Sequence, residues 1–446
     1  MLRLALPLVM AEVGWMTMGL VDTVMVGHLP HPAVTISAVA LGQVLYNTLA
    51  FGVGGVLLGL DTYISQAHGA GEWGDANKWL LSGVVLAAML GAAMMAVVWA
   101  GPAAMVRMPV ERDVMRQAVG FLSALNWGTL PLFLYMTFRR YLQAFNHVRP
   151  IAAAVVSANV VNAGLDWLLM FGHRMQVGAW TVAVPAYGVV GSAWSTVLAR
   201  VWLAAFVGAA VWWVDRRHGY GLRQAERQLD WVRVRRLVRL GAPVGAQIFV
   251  EIAIFALVTS LIGVMGPVSL AGHEIALNCV SFTFMVPFAI SAAASVRVGQ
   301  AVGRGDGAGA RAAGWTAIGL GAGFMLSMSA LLVSLPEGIA GGFTQDPQVI
   351  AMAVPLLLVG AAFQFFDGVQ TTATGALRGA GNTHAGLYVQ LMGYWVIGLP
   401  LGLWLGFARK MGAVGLWMGL AAGLMFAGVA LISVWTATAR RDMGRA

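Results

Sequence analysis

Gln66-Ala-His-Gly-Ala-Gly-Glu-Trp-Gly-Asp-Ala76 and Gln300-Ala-Val-Gly-Arg-Gly-Asp-Gly-Ala-Gly-Ala310 are two versions of one pattern, 234 residues apart. Three further matches keep the same order. Ala40-Leu41 pairs with Ala276-Leu277, Leu142-Gln-Ala-Phe-Asn-His147 with Leu377-Arg-Gly-Ala-Gly-Asn382, and Gly188-Val-Val-Gly191 with Gly412-Ala-Val-Gly415, at offsets of 236, 235 and 224. Four matches in register indicate an internal duplication. The glycine-rich stretches lack Gly-Lys-Ser/Thr and follow no strand, so they read as helix-joining turns and not as phosphate loops. With no ATP site visible, no cofactor is expected, and the work would come from an ion gradient.

The surroundings of the repeats are apolar. The 446 residues are 59% hydrophobic and only 10% charged, with a mean hydropathy of +0.78. Soluble domains carry about 25% charged residues. Twelve apolar stretches stand out: 4–27, 37–60, 79–100, 117–138, 151–171, 187–214, 238–264, 270–296, 313–335, 350–372, 385–407 and 412–436. Each can cross a hydrocarbon core of about 30 Å as a helix. They do not alternate in polarity as barrel strands would. The predicted fold is an all-α membrane protein of twelve transmembrane helices in two pseudo-symmetric six-helix lobes. An even number of spans per lobe makes the repeat parallel. The lobes are expected at 1–214 and 238–446, joined by a basic cytoplasmic linker at 215–237. No cleavable leader is expected before the first span. Cys279 is the only cysteine, which excludes an intramolecular disulfide and a cysteine-based metal site.

The net charge of +9 follows a topological bias. With the amino terminus inside, 20 of the 27 Lys and Arg fall on the inner face, including eight arginines between Asp215 and Leu240. Arg107, Arg112, Arg116, Arg174, Arg409 and Lys410 fall outside, and Arg200 lies within a span. The bias places both termini in the cytoplasm. It argues for contact with membrane lipid and against a nucleic-acid partner.

Three carboxylates interrupt otherwise lipid-soluble segments: Asp22 in Met16-Thr-Met-Gly-Leu-Val-Asp22, Glu251 in Gln247-Ile-Phe-Val-Glu251, and Asp367 in Phe363-Gln-Phe-Phe-Asp367. A charge at bilayer depth costs at least about 2.5–3.5 kcal/mol, so each must face a partner or a wet cavity. Asn162 and Asp166 share one helical face of the fifth span, with Asn159 on its flank. Two carboxylates with an amide oxygen are hard ligands, suited to a proton or a sodium ion. A first-lobe cation site is therefore expected from Asp22, Asn162 and Asp166, with Thr196 nearby. The structural alternative is a polar cluster that glues helices, and it is the better reading for Asn159 and Thr196. In the second lobe Glu251 has Gln247 one turn earlier, and Asp367 has Gln364 and Thr371 on adjacent turns. Sodium is expected at Asp22, Glu251 or Asp367 if the ion is a metal. Glu12 and Arg200 are expected to neutralise one another, as buried charges generally must. Glu274, beside His273, reads equally as a vestibule residue or a wetted helix start. Phe365, Phe366 and Trp395 are candidates to line a cavity and hold organic cations by cation–π contact. No catalytic constellation is present, so the chain is expected not to be an enzyme.

At these same residues the sequence resembles the multidrug and toxic compound extrusion (MATE) family, in its NorM-like bacterial branch. The resemblance rests on Met18-Gly-Leu-Val-Asp22-Thr-Val-Met-Val-Gly27, Ala271-Gly-His-Glu-Ile-Ala-Leu-Asn278, Val296-Arg-Val-Gly299, Phe363-Gln-Phe-Phe-Asp367-Gly-Val-Gln370 and Gly375-Ala-Leu-Arg-Gly379. It extends over essentially the whole chain. It implies a monomeric antiporter of the inner membrane that exports cationic amphipathic molecules against inward sodium or protons. The family's first-lobe acid falls on Asp22, its fifth-span pair on Asn162 and Asp166, and its second-lobe acids on Glu251 and Asp367. Glu12 and Glu274 depart from that branch, and the amino terminus is short. A lipid or oligosaccharide flippase of the same superfamily is the alternative, but its cavity should be ringed by arginines, whereas the positions here are acidic. A major-facilitator carrier is disfavoured because Leu60–Trp79 holds no basic residue besides Lys78 and His68.

Overall fold

The computed structural model describes residues 1–105, 111–177, 180–225 and 230–441. Arg107, Arg227 and Arg445, which enter the charge count, lie outside the described residues, as does 226–229 of the expected linker. Among those described, twelve helices are long and apolar enough to cross a membrane. They are α1 (Leu2–Val26), α2 (Pro32–Gly69), α3 (Trp73–Gly101), α4 (Arg112–Ala144), α5 (Arg149–Phe171), α6 (Val189–His218), α7 (Trp231–Gly263), α8 (Pro267–Gly303), α9 (Gly307–Ser334), α10 (Pro347–Gly379), α11 (His384–Ala408) and α12 (Gly412–Arg441). All twelve expected spans are present. The chain is an all-α membrane protein, and the only sheet among the described residues is a hairpin before α6, with His173–Val177 antiparallel to Trp180–Val184.

The duplication is visible in the backbone. Gly71 and Gly305, 234 residues apart, both take a left-handed φ, at 77° and 71°. Asn146 and Gly381, offset by 235, do so at 61° and 88°. These are the turns that end helices and reverse the chain, where side chains other than Gly and Asn are strained. Helix starts use ordinary devices. Pro267 and Pro347 occupy first turns. The Asp306 carboxylate accepts from Gly309 N at 2.7 Å, and the Asp346 carboxylate from Gln348 N at 2.9 Å.

The chain divides into two compact units. One comprises residues 10–60 and 73–238, the other 1–9, 61–72 and 239–446. This division differs from the expected boundaries in two ways. The described linker residues pack with the first unit, and two short segments of the amino-terminal half pack with the second. The reason lies in helix length. α2 runs past its apolar stretch to Gly69, and α8 runs to Gly303, so the glycine-rich repeats begin as helix rather than as turn. Within the second unit Thr62 Oγ1 donates to Arg378 O (2.6 Å) and Gln66 Nε2 to Gly379 O (3.1 Å). Arg378 lies 3.8 Å from the buried Asp61 carboxylate. Small residues allow this approach. A Cβ on Gly69 would lie 2.1 Å from Gln300 O, and one on Gly303 would lie 2.0 Å from Gln66 O. The core of the unit is built on Trp417, Phe363, Leu356 and Tyr394.

Candidate cation sites

In the first unit α1, α5 and α6 bring four of the expected residues together. Asp22 is 2% exposed, and Asn162 and Asp166 are fully buried. Thr196 Oγ1 lies 3.3 Å from Asp22 Oδ2 and 3.1 Å from Ser192 O, and its single proton can serve only one of them at a time. The side chains of Asp166 and Asn162 reach the Asp22 carboxyl group. Yet Asp22 Oδ1, both Asp166 oxygens and both polar atoms of Asn162 have no hydrogen-bond partner. Two carboxylates cannot bond to each other without a proton or a cation between them. A buried acceptor left unmatched costs roughly 1–3 kcal/mol, more if charged. The unmatched acceptors make this cluster a candidate site for a positive guest.

Glu12 and Arg200 do not pair, contrary to expectation. Glu12 bonds to Arg139 of α4, and both side chains are buried. Arg139 and Arg140, assigned to the inner face from sequence, lie buried within α4. Arg200 sits instead over the ring of Tyr46, 4.7 Å from its centroid.

The second unit holds a different arrangement. Gln370 Nε2 donates to Asp367 Oδ1 and to Tyr394 Oη, both at 3.0 Å. The Tyr394 hydroxyl in turn donates to Glu251 Oε1 at 3.4 Å, and Gln390 Nε2 donates to Gln370 Oε1 at 3.4 Å. One chain of donors thus links both expected acids. Tyr394 lies in a stretch of α11, Leu391–Gly398, wound as π-helix. Such widened turns recur at functional sites because they re-aim side chains. Gln247 stands outside this chain of donors. Its Oε1 is unpartnered and faces Gly386, where a Cβ would lie 2.5 Å away. Gln364 donates to Thr283 Oγ1 (3.0 Å) and not to Asp367. Trp395 donates to Val250 O (3.2 Å), Phe366 packs against Gly428, and Phe365 is exposed. Glu274 is exposed, whereas its neighbour His273 is fully buried. His273 Nδ1 accepts from the Trp417 indole N–H (2.9 Å), so the ring proton sits on Nε2, which donates to Thr259 Oγ1 (2.8 Å).

The family model MatE matches residues 7–168 and again 243–404, one copy per half of the sequence. The chain belongs to the MatE family. A probable multidrug resistance protein NorM of Mesorhizobium japonicum is 33% identical over 99% of this chain and 93% of that relative. Multidrug resistance protein PmpM of Pseudomonas aeruginosa is 32% identical over 99% and 91%. An outward-facing structure of a multidrug resistance MATE family transporter of the MOP superfamily superposes with a TM-score of 0.87 at 17% identity, covering 100% of this chain and 96% of that one. At that identity the likeness speaks for the MatE fold alone.

Three members of the second network escaped the sequence reading: Gln370, Gln390 and Tyr394. Gln390 and Tyr394 stand i, i+4 on α11, the same spacing that singled out Asn162 and Asp166. That spacing was the available signal in this MatE chain.

Proposed function

We propose that the chain is a monomeric multidrug efflux antiporter of the bacterial inner membrane, exporting cationic amphipathic molecules in exchange for inward sodium or protons by alternating access. The observation that carries the reading is the under-satisfied cluster of Asp22, Asn162 and Asp166 within spanning helices. Its oxygens need a positive guest, and a proton or sodium ion meets that need as well as an ammonium group does. We assign the coupling ion to this cluster and the organic cation to the region of Glu251 and Asp367, where each acid already has a neutral donor. The names of the relatives support multidrug export. The bias of basic residues to one side, Arg139 and Arg140 set aside, supports cytoplasmic termini. An ion drives export only if it binds one conformation better than the other.

Proteoliposomes loaded with a fluorescent organic cation, under an imposed proton or sodium gradient, test the proposal. Efflux should follow one gradient and stop when that gradient is collapsed. Asp22→Asn should uncouple efflux from the ion, and Asp367→Asn should weaken efflux itself. Efflux indifferent to both gradients would refute antiport. A flippase would instead move phospholipid or lipid-linked sugar, and the acidic interior counts against it.

A further inference from the structure

Arg200 is a buried cation that the reading above leaves without a task. It is 4% exposed, and among the described residues no carboxylate lies within 4.0 Å of it. Its Nε and Nη1 have no hydrogen-bond partner. The guanidinium rests on the Tyr46 ring of α2 and against Gly128 of α4, where a Cβ would lie 3.2 Å from Nη1. The ring is itself held. Tyr46 donates to Thr129 Oγ1 (2.9 Å), because Thr129 donates onward to Asn126 Oδ1 (3.2 Å). Structural arginines inside this unit behave otherwise, as the Arg139–Glu12 pair shows. Arg200 also stands one turn beyond Thr196 on α6, and the Thr196 hydroxyl reaches Asp22. One turn is a rise of about 6 Å. The unmatched donors of Arg200 therefore stand one turn along α6 from the hydroxyl that touches Asp22. The charged or titratable groups around the guanidinium are Tyr46 from α2, Asp22 from α1 and, through Asp22, Asp166 from α5. From α4 it meets the Gly128 backbone.

We infer that Arg200 is a resident counter-cation of the Asp22–Asp166 cluster, parked on Tyr46 while a guest ion is bound and turned onto the carboxylates when that ion leaves. The inference rests on the assignment of the coupling ion to this cluster. Two carboxylates and one guanidinium sum to a single negative charge, so one monovalent ion neutralises the set. Arg200 would then fix both the number of ions taken and their affinity, since each incoming ion must displace it. Tyr46 supplies the resting place by cation–π contact.

The test uses the purified full-length chain in detergent micelles. Melting temperature is followed against NaCl at constant ionic strength with choline chloride, and separately against pH, because a guest that binds only the folded protein raises it. Arg200→Met should lower the half-effect ion concentration at least tenfold, and Arg200→Lys should restore it. Tyr46→Leu removes the perch and should raise the half-effect concentration, so a second variant reports the opposite sign if Arg200→Met fails to fold. A folded Arg200→Met or Tyr46→Leu protein with wild-type half-effect concentration would overturn the inference. Asp22→Asn separates the two levels of the argument. If it abolishes the ion effect while the Arg200 and Tyr46 variants are silent, only the counter-cation role falls. If the ion effect survives Asp22→Asn, the site assignment falls and the counter-cation role with it.

Discussion

Alanine at Gly303 is a severe perturbation that leaves every charge in place. In the second unit the ends of α2 and α8 cross reciprocally, Gly69 against Gln300 and Gly303 against Gln66. The pairs exchange roles under the 234-residue repeat. The added methyl carbon of Gly303→Ala would stand 2.0 Å from a carbonyl oxygen, where ordinary contact begins near 3.4 Å. The obstacle is backbone, so no rotamer change relieves it. The crossing must open by more than an ångström, against the Thr62–Arg378 and Gln66–Gly379 hydrogen bonds. Overpacking of this kind costs about 1–3 kcal/mol. Alanine recovers about 0.8–1.0 kcal/mol of helix propensity over glycine. A net loss of up to about 2 kcal/mol is expected.

The assay is thermal unfolding in micelles, with Gly319→Ala as the matched control. Gly319 is exposed on α9 with nothing within 4 Å of the position a Cβ would take. Gly319→Ala should melt at or slightly above the wild-type temperature, and Gly303→Ala and Gly69→Ala clearly below it. The double variant should lose less than the two single losses together, because one opening accommodates both methyl groups. If Gly303→Ala melts with the control, or if the two losses add, the reciprocal crossing is not a close contact and the reasoning fails.

Other expectations are more local. Tyr394→Phe removes the hydroxyl between Gln370 and Glu251, and should cost about 1–3 kcal/mol while weakening organic-cation efflux in the gradient assay; unchanged efflux would take Tyr394 out of the site. His147 lies in the turn after α4, its ring 4.8 Å from that of His218. Burial, and then the charge on His218, hold its imidazole below the ordinary value of 6.5. A base lowered in this way contributes stability at higher pH that is lost as pH falls through and below the ordinary value, so melting temperature should drop on acidification and His147→Asn should flatten the slope. Glu12→Gln leaves Arg139 buried without its counter-charge and should destabilise by about 3–5 kcal/mol. Asp166→Asn removes a charge that has no donor, and should be neutral or stabilising in the same melts. The two substitutions give opposite signs only if one acid is structural and the other awaits a guest.

Hydropathy located all twelve spans because burial in lipid imposes the same demand on every face of a helix. It missed the carboxy-terminal ends of α2, α8 and α10 for the same reason. Gly69, Gly303 and Gly379 end helices that continue beyond the apolar stretch, held by close backbone approach and not by lipid. Such contacts depend on the absence of a side chain, and a hydropathy window scores glycine as nearly neutral. The repeat did carry the information, since the matched glycines are those that the crossing requires.

The site was legible in proportion to the cost of each group in hydrocarbon. Acids stand out because nothing else explains them, so Asp22, Asp166, Glu251 and Asp367 were singled out as candidates. Amides and hydroxyls cost less, and Gln370, Gln390 and Tyr394 passed as ordinary residues of apolar helices. Partnership was the least legible property. Glu12 and Arg200 were matched because each looked unpaired in sequence, yet the rotation of α1 and α4 about their axes gives Glu12 to Arg139. That choice leaves Arg200 without an acid in the same unit where Asp22 Oδ1 and both Asp166 oxygens lack donors. A fold selected for stability alone would have joined them. On the counter-cation inference, that unpaired state is what a site keeps when its own charges must make room for a guest.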